Sequence, residues 1–274
     1  MATMMINDVE IYYELTGESG EVLMILNGIM MSSASWTEIK EDYVKAGYRI
    51  LNVDFRDQGK SGSSPVSYEI QQHAEDLIFL LDRLNIEKIN ILGISYGGQV
   101  GMIFAMKYKN RVNRLILANT SSRLSNFLKG IGAAWDEAAK LEDGERFFRI
   151  AMPLIYSDVF YDTHYEWLKE REKAFKDVLT KSWFERYLRL SSSHGNYNIE
   201  KEIHKIEAPT LVIGGDRDMV TPYEETHKIY KNIKNAAFVM IPECGHASCY
   251  EKPQEFNIQV IGFLGIHHRK EKSE

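Results

Sequence analysis

The stretch ILGISYGGQVGMIFA, residues 91–105, constrains the fold more than any other part of the chain. It places Ser95 between Gly93 and Gly97, directly after a short apolar run and directly before a segment with a helical pattern. A strand that turns so abruptly into a helix leaves little room for side chains at the two glycine positions. The pattern therefore predicts a tight strand–turn–helix unit with the Ser95 side chain projecting from the turn.

Short apolar runs recur along the rest of the chain, and helix-like segments separate them. Such runs are typical of parallel strands that are buried on both faces by helices. We expect a hairpin within residues 4–15, followed by strands over 22–28, 48–54, 89–95, 114–120, 210–216 and 236–242. Helical patterns occupy 35–46, 69–84, 97–109, 223–231 and 253–265. This alternation predicts an α/β protein with a mostly parallel, eight-stranded sheet.

The interval from residue 121 to about residue 200 breaks the alternation. It contains no convincing strand, but helical patterns over 132–142, 161–177 and 180–192, and it holds fourteen Phe, Trp and Tyr residues. Single rings are mostly buried for packing, but so many in one insertion favour an apolar ligand pocket beneath it. The predicted organisation is a core domain (1–120 with 201–267), a helical cap (121–200) inserted before the last two strands, and a charged C-terminal tail (268–274).

Composition and charge narrow the class of partner. The chain has 274 residues, 44% of them hydrophobic, and a net charge of −6 with both signs intermixed. This distribution argues against nucleic-acid binding, and no apolar run reaches the roughly 20 residues that cross a bilayer. The N-terminus lacks a secretory pattern, and Cys244 and Cys249 are expected to be reduced thiols. We expect a cytoplasmic monomer or homodimer that acts on a small molecule.

A serine hydroxyl is a weak nucleophile unless a base activates it, and two further stretches offer partners for Ser95. GGDRDMVTP follows one predicted strand and contains Asp216 and Asp218 as alternative acids, while IPECGHASCYEKP follows the last strand and contains His246. The carboxyl ends of parallel strands meet at one edge of a sheet, so these side chains are predicted to converge with Ser95 there. The other seven histidines are expected to lie on the surface.

The stretches LNGIMMSSASW, DFRDQGKS, GISYGG, GGDRDMVTP and CGHASCYEKP resemble those of α/β-hydrolase-fold proteins, and the resemblance covers about residues 8–265. It implies the α/β-hydrolase fold and a nucleophile–base–acid triad of Ser95, His246 and Asp218. Asp218 is preferred to Asp216 because it stands ahead of a Val-x-Pro stretch, as the acid of the family does. The chemistry implied is acyl transfer through an acyl-serine, which requires no cofactor and no metal.

The same resemblance implies an oxyanion hole made by the backbone N–H groups of Ile29 and Tyr96. We predict that the substrate pocket is lined by one methionine and three tryptophans: Met30, Trp36, Trp135 and Trp183. Whether the Tyr96 side chain binds substrate or packs internally is open.

The chain departs from many relatives at two places. They carry His-Gly where this chain has Asn27-Gly28, and a Gly-His pair or similar where it has Asp57-Gln58. The first departure changes the polar group that holds the oxyanion loop. The Asn-Gly-x-Met form of this loop resembles that of bacterial acyltransferases that join two hydroxyacyl chains into a lipid precursor. Arg56 and Asp57 are expected to form a local salt bridge.

These observations predict a serine hydrolase that cleaves a carboxylic ester, lactone or thioester of a small to medium apolar acyl compound. An acyltransferase that uses the same triad is one alternative, and a ligand-binding member of the fold is another. Carbon–carbon hydrolases, hydroxynitrile lyases and cofactor-free oxygenases share similar motifs, and analogy of fold does not separate them. Haloalkane dehalogenases are disfavoured, because they carry aspartate at the position of Ser95.

Overall fold

One eight-stranded sheet organises the chain in the computed structural model, which describes residues 2–271 and their side chains as far as residue 266. The strands are β1 (Ala2–Ile6), β2 (Val9–Thr16), β3 (Val22–Leu26), β4 (Arg49–Val53), β5 (Ile89–Ile94), β6 (Val112–Ala118), β7 (Thr210–Gly215) and β8 (Ala236–Ile241). Their order is β1-β2-β4-β3-β5-β6-β7-β8; β2 is antiparallel to both neighbours and the other pairs are parallel. The predicted fold class is confirmed.

Helices cover both faces of this sheet. Those of the core are α1 (Lys40–Lys45), α2 (Gln71–Arg83), α3 (Tyr96–Lys107), α9 (Tyr223–Asn232), α10 (Ser248–Glu251) and α11 (Pro253–Glu271). Leu77 and Leu80 of α2 and Phe104 of α3 are buried in one apolar layer, and Tyr43 of α1 and Phe256 of α11 are buried in the other. The buried strands are therefore apolar on both faces, as their sequence pattern predicts.

Five helices between β6 and β7 form the segment that is called the cap below. They are α4 (Asn126–Ala139), α5 (Gly144–Ile155), α6 (Asp158–Thr163), α7 (Tyr165–Val178) and α8 (Lys181–Ser192). Side chains of Ser125, Asp143, Ser157 and Thr180 accept hydrogen bonds from first-turn amides of α4, α5, α6 and α8, which satisfies donors that a helix leaves unpaired. Phe147, Phe148 and Phe184 pack in its interior.

Several element boundaries differ from the prediction: α4 starts at Asn126 rather than at 132, and the predicted helix 161–177 is divided between α6 and α7. The segment 35–46 is divided into a short 3-10 turn, Ser33–Trp36, and α1, which starts at Lys40. Helix α5 corresponds to none of the helical patterns named above, and it begins at a glycine and carries Pro153 in its last turn, two residues that disfavour helix interiors. Helix α11 continues through residues 268–271 of the predicted tail, whose remaining residues, 272–274, lie outside the described residues.

The parallel strands end at the same edge of the sheet, and polar residues follow these ends. Asn27 follows β3, Ser95 follows β5, Asn119 follows β6, Asp218 lies in the loop after β7, and His246 in the loop after β8. This edge therefore positions the candidate site.

Candidate active site

Ser95 lies in a turn whose conformation excludes side chains at its neighbours. Its φ is 52° and its ψ is −115°, which is rare for a residue other than glycine. A β-carbon added to Gly93 would lie 2.6 Å from the carbonyl oxygen of Gly97, and one added to Gly97 would lie 2.1 Å from that of Leu26. The Ser95 amide donates to the carbonyl of Ala118 at 2.9 Å, which ties the turn to β6. The glycines thus permit the close approach that exposes the serine.

The structure brings the three predicted triad side chains together. Ser95 Oγ lies 2.9 Å from His246 Nε2, and His246 Nδ1 lies 2.9 Å from one carboxylate oxygen of Asp218. His246 and Asp218 are 8% and 4% exposed. Because a neutral imidazole has one N–H, a proton on Nδ1 directed at Asp218 leaves the Nε2 lone pair directed at the serine hydroxyl.

The Asp218 carboxylate is held from several directions. One oxygen accepts hydrogen bonds from the amides of Val220 and Thr221, and the other accepts from the Thr221 hydroxyl and from Asn119 Nδ2. Burial raises the pKa of Asp218, but its electrostatic interaction and hydrogen bond with His246, together with the bonds from Asn119 and Thr221, outweigh burial and hold the pKa below its ordinary value. The alternative acid, Asp216, is exposed and accepts from the amide of Cys244.

Asn119 is a site residue that the sequence analysis missed. Its φ is 47°, and its side-chain oxygen accepts a hydrogen bond from Ser248 while its Nδ2 donates to Asp218 at 3.0 Å. The only sequence signal is its place at the end of a parallel strand.

The cap contacts the loop that carries His246. The amide of His246 donates to the carbonyl of Ile155 at 2.7 Å. The buried carboxylate of Glu251 accepts from the amide of Gly245 and from both the amide and the hydroxyl of Ser157. A β-carbon added to Gly245 would lie 2.5 Å from the Ser157 nitrogen. Glu251, which the sequence analysis did not single out, therefore joins the histidine loop to the turn between α5 and α6.

The Tyr96 side chain is engaged inside the protein. Its hydroxyl lies 2.7 Å from His73 Nε2 and 2.6 Å from Ser193 Oγ. His73 is 1% exposed, so the expectation that all other histidines lie on the surface is wrong. Burial lowers the pKa of His73 well below its ordinary value, and the positive charge of Arg56 acts in the same direction. This histidine is therefore neutral at physiological pH.

Of the two backbone groups predicted for the oxyanion hole, the Tyr96 amide directly follows the serine in the chain, and the Ile29 amide belongs to the turn after β3. Tyr96 is the first residue of α3, where helix amides have no acceptor within the helix. Ile29 follows Gly28, and a β-carbon added to Gly28 would lie 3.7 Å from Cβ of Ser95. Two amides next to a nucleophilic hydroxyl can stabilise a negative charge that develops beside it.

An apolar cluster joins the cap to this edge of the sheet. Trp135 and Trp183 of the cap belong to it, and Met30, Val220 and Ala247 from the loops around the triad pack in the same cluster.

The structure places Trp36 away from that cluster, which corrects the prediction that it lines the pocket. Its ring is fully buried in the apolar layer that also contains Tyr43, and its Nε1 donates to Asn27 Oδ1 at 2.8 Å. A tryptophan buried in an apolar layer stabilises the core and fixes the polar atom to which it donates.

Arg56 and Asp57 do not pair with each other, contrary to expectation. Arg56 binds Asp76 in two contacts of 2.7 and 2.8 Å, while Asp57 accepts from Arg189 of α8 at 2.8 Å. The second pair is a further contact between core and cap. Asp57 has a φ of 63°, so the local backbone directs the two neighbouring side chains to different partners.

Other features of the described residues bear on cofactors and membranes. Among the side chains described, those of residues 2–266, His, Cys, Asp and Glu form no group of three or more arranged to hold a metal. No helix within residues 2–271 has both the length and the apolar character needed to cross a membrane. Cys244 and Cys249 are buried free thiols, and burial raises the pKa of Cys249 to about 12.

Comparison with known proteins places this geometry in context. A model of the alpha/beta hydrolase fold family matches residues 21–253. The 3-oxoadipate enol-lactonase 2 of Acinetobacter baylyi is 27% identical over 258 residues, with 94% of each chain covered. The 2-hydroxy-6-oxo-6-phenylhexa-2,4-dienoate hydrolase of Comamonas testosteroni is 25% identical over 282 residues, covering 94% of this chain and 92% of that protein.

A solved structure is more similar. It is that of an alpha/beta hydrolase enzyme from a Medee basin deep-sea metagenome library, 37% identical to this chain, with a TM-score of 0.93. The match covers 96% of this chain and 97% of the other. The likeness therefore includes the cap as well as the sheet.

Proposed function

The chain belongs to the α/β hydrolase fold family and is a hydrolase of that fold, and from this premise we propose that it is a serine hydrolase acting through Ser95, His246 and Asp218. The bond that it cleaves is the ester, lactone or thioester bond of a small to medium apolar acyl compound. The observation that carries the proposal is the continuous hydrogen-bond chain from Ser95 Oγ through His246 to the buried Asp218 carboxylate.

The chemistry follows from this chain. His246 Nε2 takes the hydroxyl proton of Ser95 while Oγ attacks the substrate carbonyl, and Asp218 holds the imidazole and stabilises its cation. The oxyanion that forms is bound by the amides of Ile29 and Tyr96. The carbonyl re-forms as the bond to the leaving group breaks, and the imidazolium gives that group its proton. A water, deprotonated by the same nitrogen, then attacks the acyl carbonyl, and the imidazolium returns the proton to Ser95 Oγ as the bond between that oxygen and the acyl carbon breaks and the acid leaves.

Two observations support the substrate class. The apolar cluster of cap and loop side chains next to the triad suits an apolar acyl chain, because ligand pockets are lined mainly by such groups. The enol-lactonase relative supports a lactone among the substrates to be tried.

The test is a chain-length series of p-nitrophenyl esters, acyl thioesters and γ-lactones, with wild-type protein and Ser95→Ala. We expect hydrolysis by the wild type and its loss in Ser95→Ala. The control is Ser182→Ala, which changes an exposed serine of α8 and should leave turnover intact. Activity that survives in Ser95→Ala would contradict the proposal.

The alternatives predict other results in the same assay. An acyltransferase yields a new ester when an alcohol or hydroxyacyl acceptor is added, at the cost of the free acid. A ligand-binding member of the fold binds the compounds without repeated turnover. Either result would replace hydrolysis as the function.

A further inference from the structure

Two buried side-chain amides connect the turn after β3 with the loop after β4. Asn27 and Gln58 are 1% and 4% exposed. Asn27 Nδ2 donates to the carbonyl of Val53 at 2.9 Å and to Gln58 Oε1 at 3.0 Å. Gln58 Nε2 in turn donates to the carbonyl of Gly28 at 2.9 Å. These bonds form an unbroken path from the core to the peptide that precedes Ile29.

The orientation of both amides is fixed by one group that can only donate. Trp36 Nε1 donates to Asn27 Oδ1 at 2.8 Å, and an indole N–H has no acceptor role. The Asn27 nitrogen must therefore face Gln58, which accepts through its oxygen. This leaves the Gln58 nitrogen directed at the Gly28 carbonyl. A flipped amide at either position would set two donors or two acceptors against each other.

The Gly28 carbonyl determines where the Ile29 amide points. In a trans peptide the C=O and the following N–H point in opposite directions, and the described residues contain no cis peptide bond. Gln58 Nε2 and the Met31 amide hold the Gly28 oxygen from 2.9 and 3.0 Å. Both anchors lie on the carbonyl side, so the Ile29 N–H is kept free on the opposite side, in a turn that approaches Ser95 closely.

We propose that Gln58 is a positioning residue for the oxyanion hole, acting through the Gly28–Ile29 peptide, with Asn27 and Trp36 fixing its own amide. The inference rests on the proposed function, because the Ile29 amide has a task only if an oxyanion forms at Ser95. Gln58 itself touches neither the serine nor the substrate carbonyl in this arrangement. Its effect is preorganisation, which is the property that makes backbone donors effective in such sites.

The matched pair of variants is Gln58→Met and Gln99→Met. Gln99 is equally buried, at 4% exposure, and binds His194 and Ser121 instead of the Gly28 carbonyl. Both changes remove a buried amide and keep the side-chain length, so both cost stability. Only Gln58→Met frees the Gly28–Ile29 peptide to rotate.

Three quantities are measured with a p-nitrophenyl ester: kcat, KM and the inhibition constant of a trifluoromethyl ketone. The ketone carbonyl adds reversibly to the serine oxygen and places its oxyanion where that of the reaction forms. We expect Gln58→Met to lower kcat by about 10- to 100-fold, below the 10²- to 10³-fold typical of losing a whole donor, with little change in KM. The inhibition constant should rise by the same factor as KM/kcat, and Gln99→Met should change none of the three by more than about threefold.

Gln58→Glu provides a second variant if Gln58→Met does not fold. It keeps an oxygen for Asn27 and sets an oxygen against the Gly28 carbonyl, so the same loss of kcat and of ketone affinity is expected. Equal effects of the Gln58 and Gln99 changes, or a loss of kcat with unchanged ketone affinity, would overturn the inference. A wild type that forms no acyl-serine would instead overturn the proposed function, and this inference with it.

Discussion

The carboxyl edge of the sheet and the cap above it hold their residues in different ways. At the sheet edge, Ser95, Asp218 and Asn119 are fixed by backbone hydrogen bonds and by close contacts at glycines that admit no β-carbon. The cap is held by aromatic packing and by side-chain caps at its helix starts. The hydrogen bonds and close contacts at the sheet edge fix the positions of single atoms. The aromatic packing of the cap fixes the shape of an apolar surface.

We therefore expect the sheet edge to carry out the reaction and the cap to determine which substrate is preferred. The two regions meet in the apolar cluster described above and at polar contacts, among them Glu251 with the turn between α5 and α6 and Asp57 with Arg189 of α8. We expect changes at the sheet edge to abolish the reaction on every substrate. Changes in the cap alter which substrate is preferred. Asp218, Glu251 and Trp183 test that separation in order of decreasing expected effect, and the smallest effect is expected from His73 in the core.

The largest effect is expected from the buried acid. Asp218→Asn keeps the shape of the side chain but removes the charge that selects the His246 tautomer, so kcat should fall on the order of 10⁴-fold for every ester tried. The matched control is Asp216→Asn, two residues away and exposed, which should stay close to wild type. A larger loss in Asp216→Asn than in Asp218→Asn would reverse the assignment of the acid.

Glu251 tests the contact where the two regions meet. Glu251→Gln replaces one carboxylate oxygen by a donor that faces the donors of Gly245 or Ser157, so the free energy of unfolding should fall by about 1–3 kcal/mol. Because Gly245 precedes His246, kcat should fall as well, though far less than in Asp218→Asn. Urea denaturation and ester kinetics measure both. Glu255→Gln, on the exposed face of α11, is the control; equal stability of the two variants would show that the contact contributes nothing.

Trp183 tests the cap. Its ring stacks on that of Tyr187, with 5.3 Å between the ring centroids, and contacts the ring of Phe147 edge-on. We expect Trp183→Ala to lower kcat/KM for long acyl chains by about tenfold relative to acetyl esters, which corresponds to the 1–3 kcal/mol that one methylene can contribute in an apolar pocket. Trp167→Ala removes an exposed tryptophan of the same cap and should leave the profile unchanged. A uniform loss on all chain lengths in Trp183→Ala would break the separation of chemistry from specificity.

The smallest effect is expected from the buried His73 of the core, whose titration makes the free energy of unfolding depend on pH in acid. The pKa of His73 in the folded protein lies well below the unfolded value of about 6.5. Below that pH the unfolded chain binds more protons, so the free energy of unfolding should fall as pH drops, with a slope of at most about 1.4 kcal/mol per pH unit from this residue, until the folded pKa is reached. Above pH 6.5 His73 is mostly neutral in the unfolded chain as well, so the free energy of unfolding no longer depends on its titration.

The test is the pH dependence of urea unfolding in His73→Gln, whose amide can still donate to the Tyr96 hydroxyl. Its slope below pH 6.5 should be flatter than that of the wild type. His204→Gln, at an exposed histidine, should behave as the wild type does. An unchanged slope in His73→Gln would show that this histidine is not the source of acid sensitivity.

The same difference between regions explains what could be predicted from the sequence. The strands and the convergence of Ser95, Asp218 and His246 follow from short apolar runs that end at polar residues, since parallel strands bring their ends together whatever the loops do. The side-chain partners across loops were not predictable: Arg56 pairs with Asp76 rather than with its neighbour, and Trp36 faces the core. Their directions depend on backbone turns that leave no periodic signal.

The cap shows the limit most clearly. Its helical and aromatic character is visible in the composition, but helix α5 and the placement of Glu251 against Ser157 depend on tertiary contacts between segments far apart in the chain. The role of Gln58 was hidden for the same reason, because its partner Gly28 lies thirty residues earlier and no local pattern links them.

The whole proposed reaction depends on an acyl-enzyme at Ser95, which mass spectrometry of the intact protein can detect. Wild-type protein would be mixed with a short-chain p-nitrophenyl ester, quenched in acid within the first turnovers, and then digested to locate the modified peptide. We expect a transient mass increase of one acyl group on the peptide that contains Ser95, absent in Ser95→Ala and gone when substrate is exhausted. Turnover without that adduct on a time scale where product forms in a burst, or an adduct on another residue, would contradict the proposed reaction.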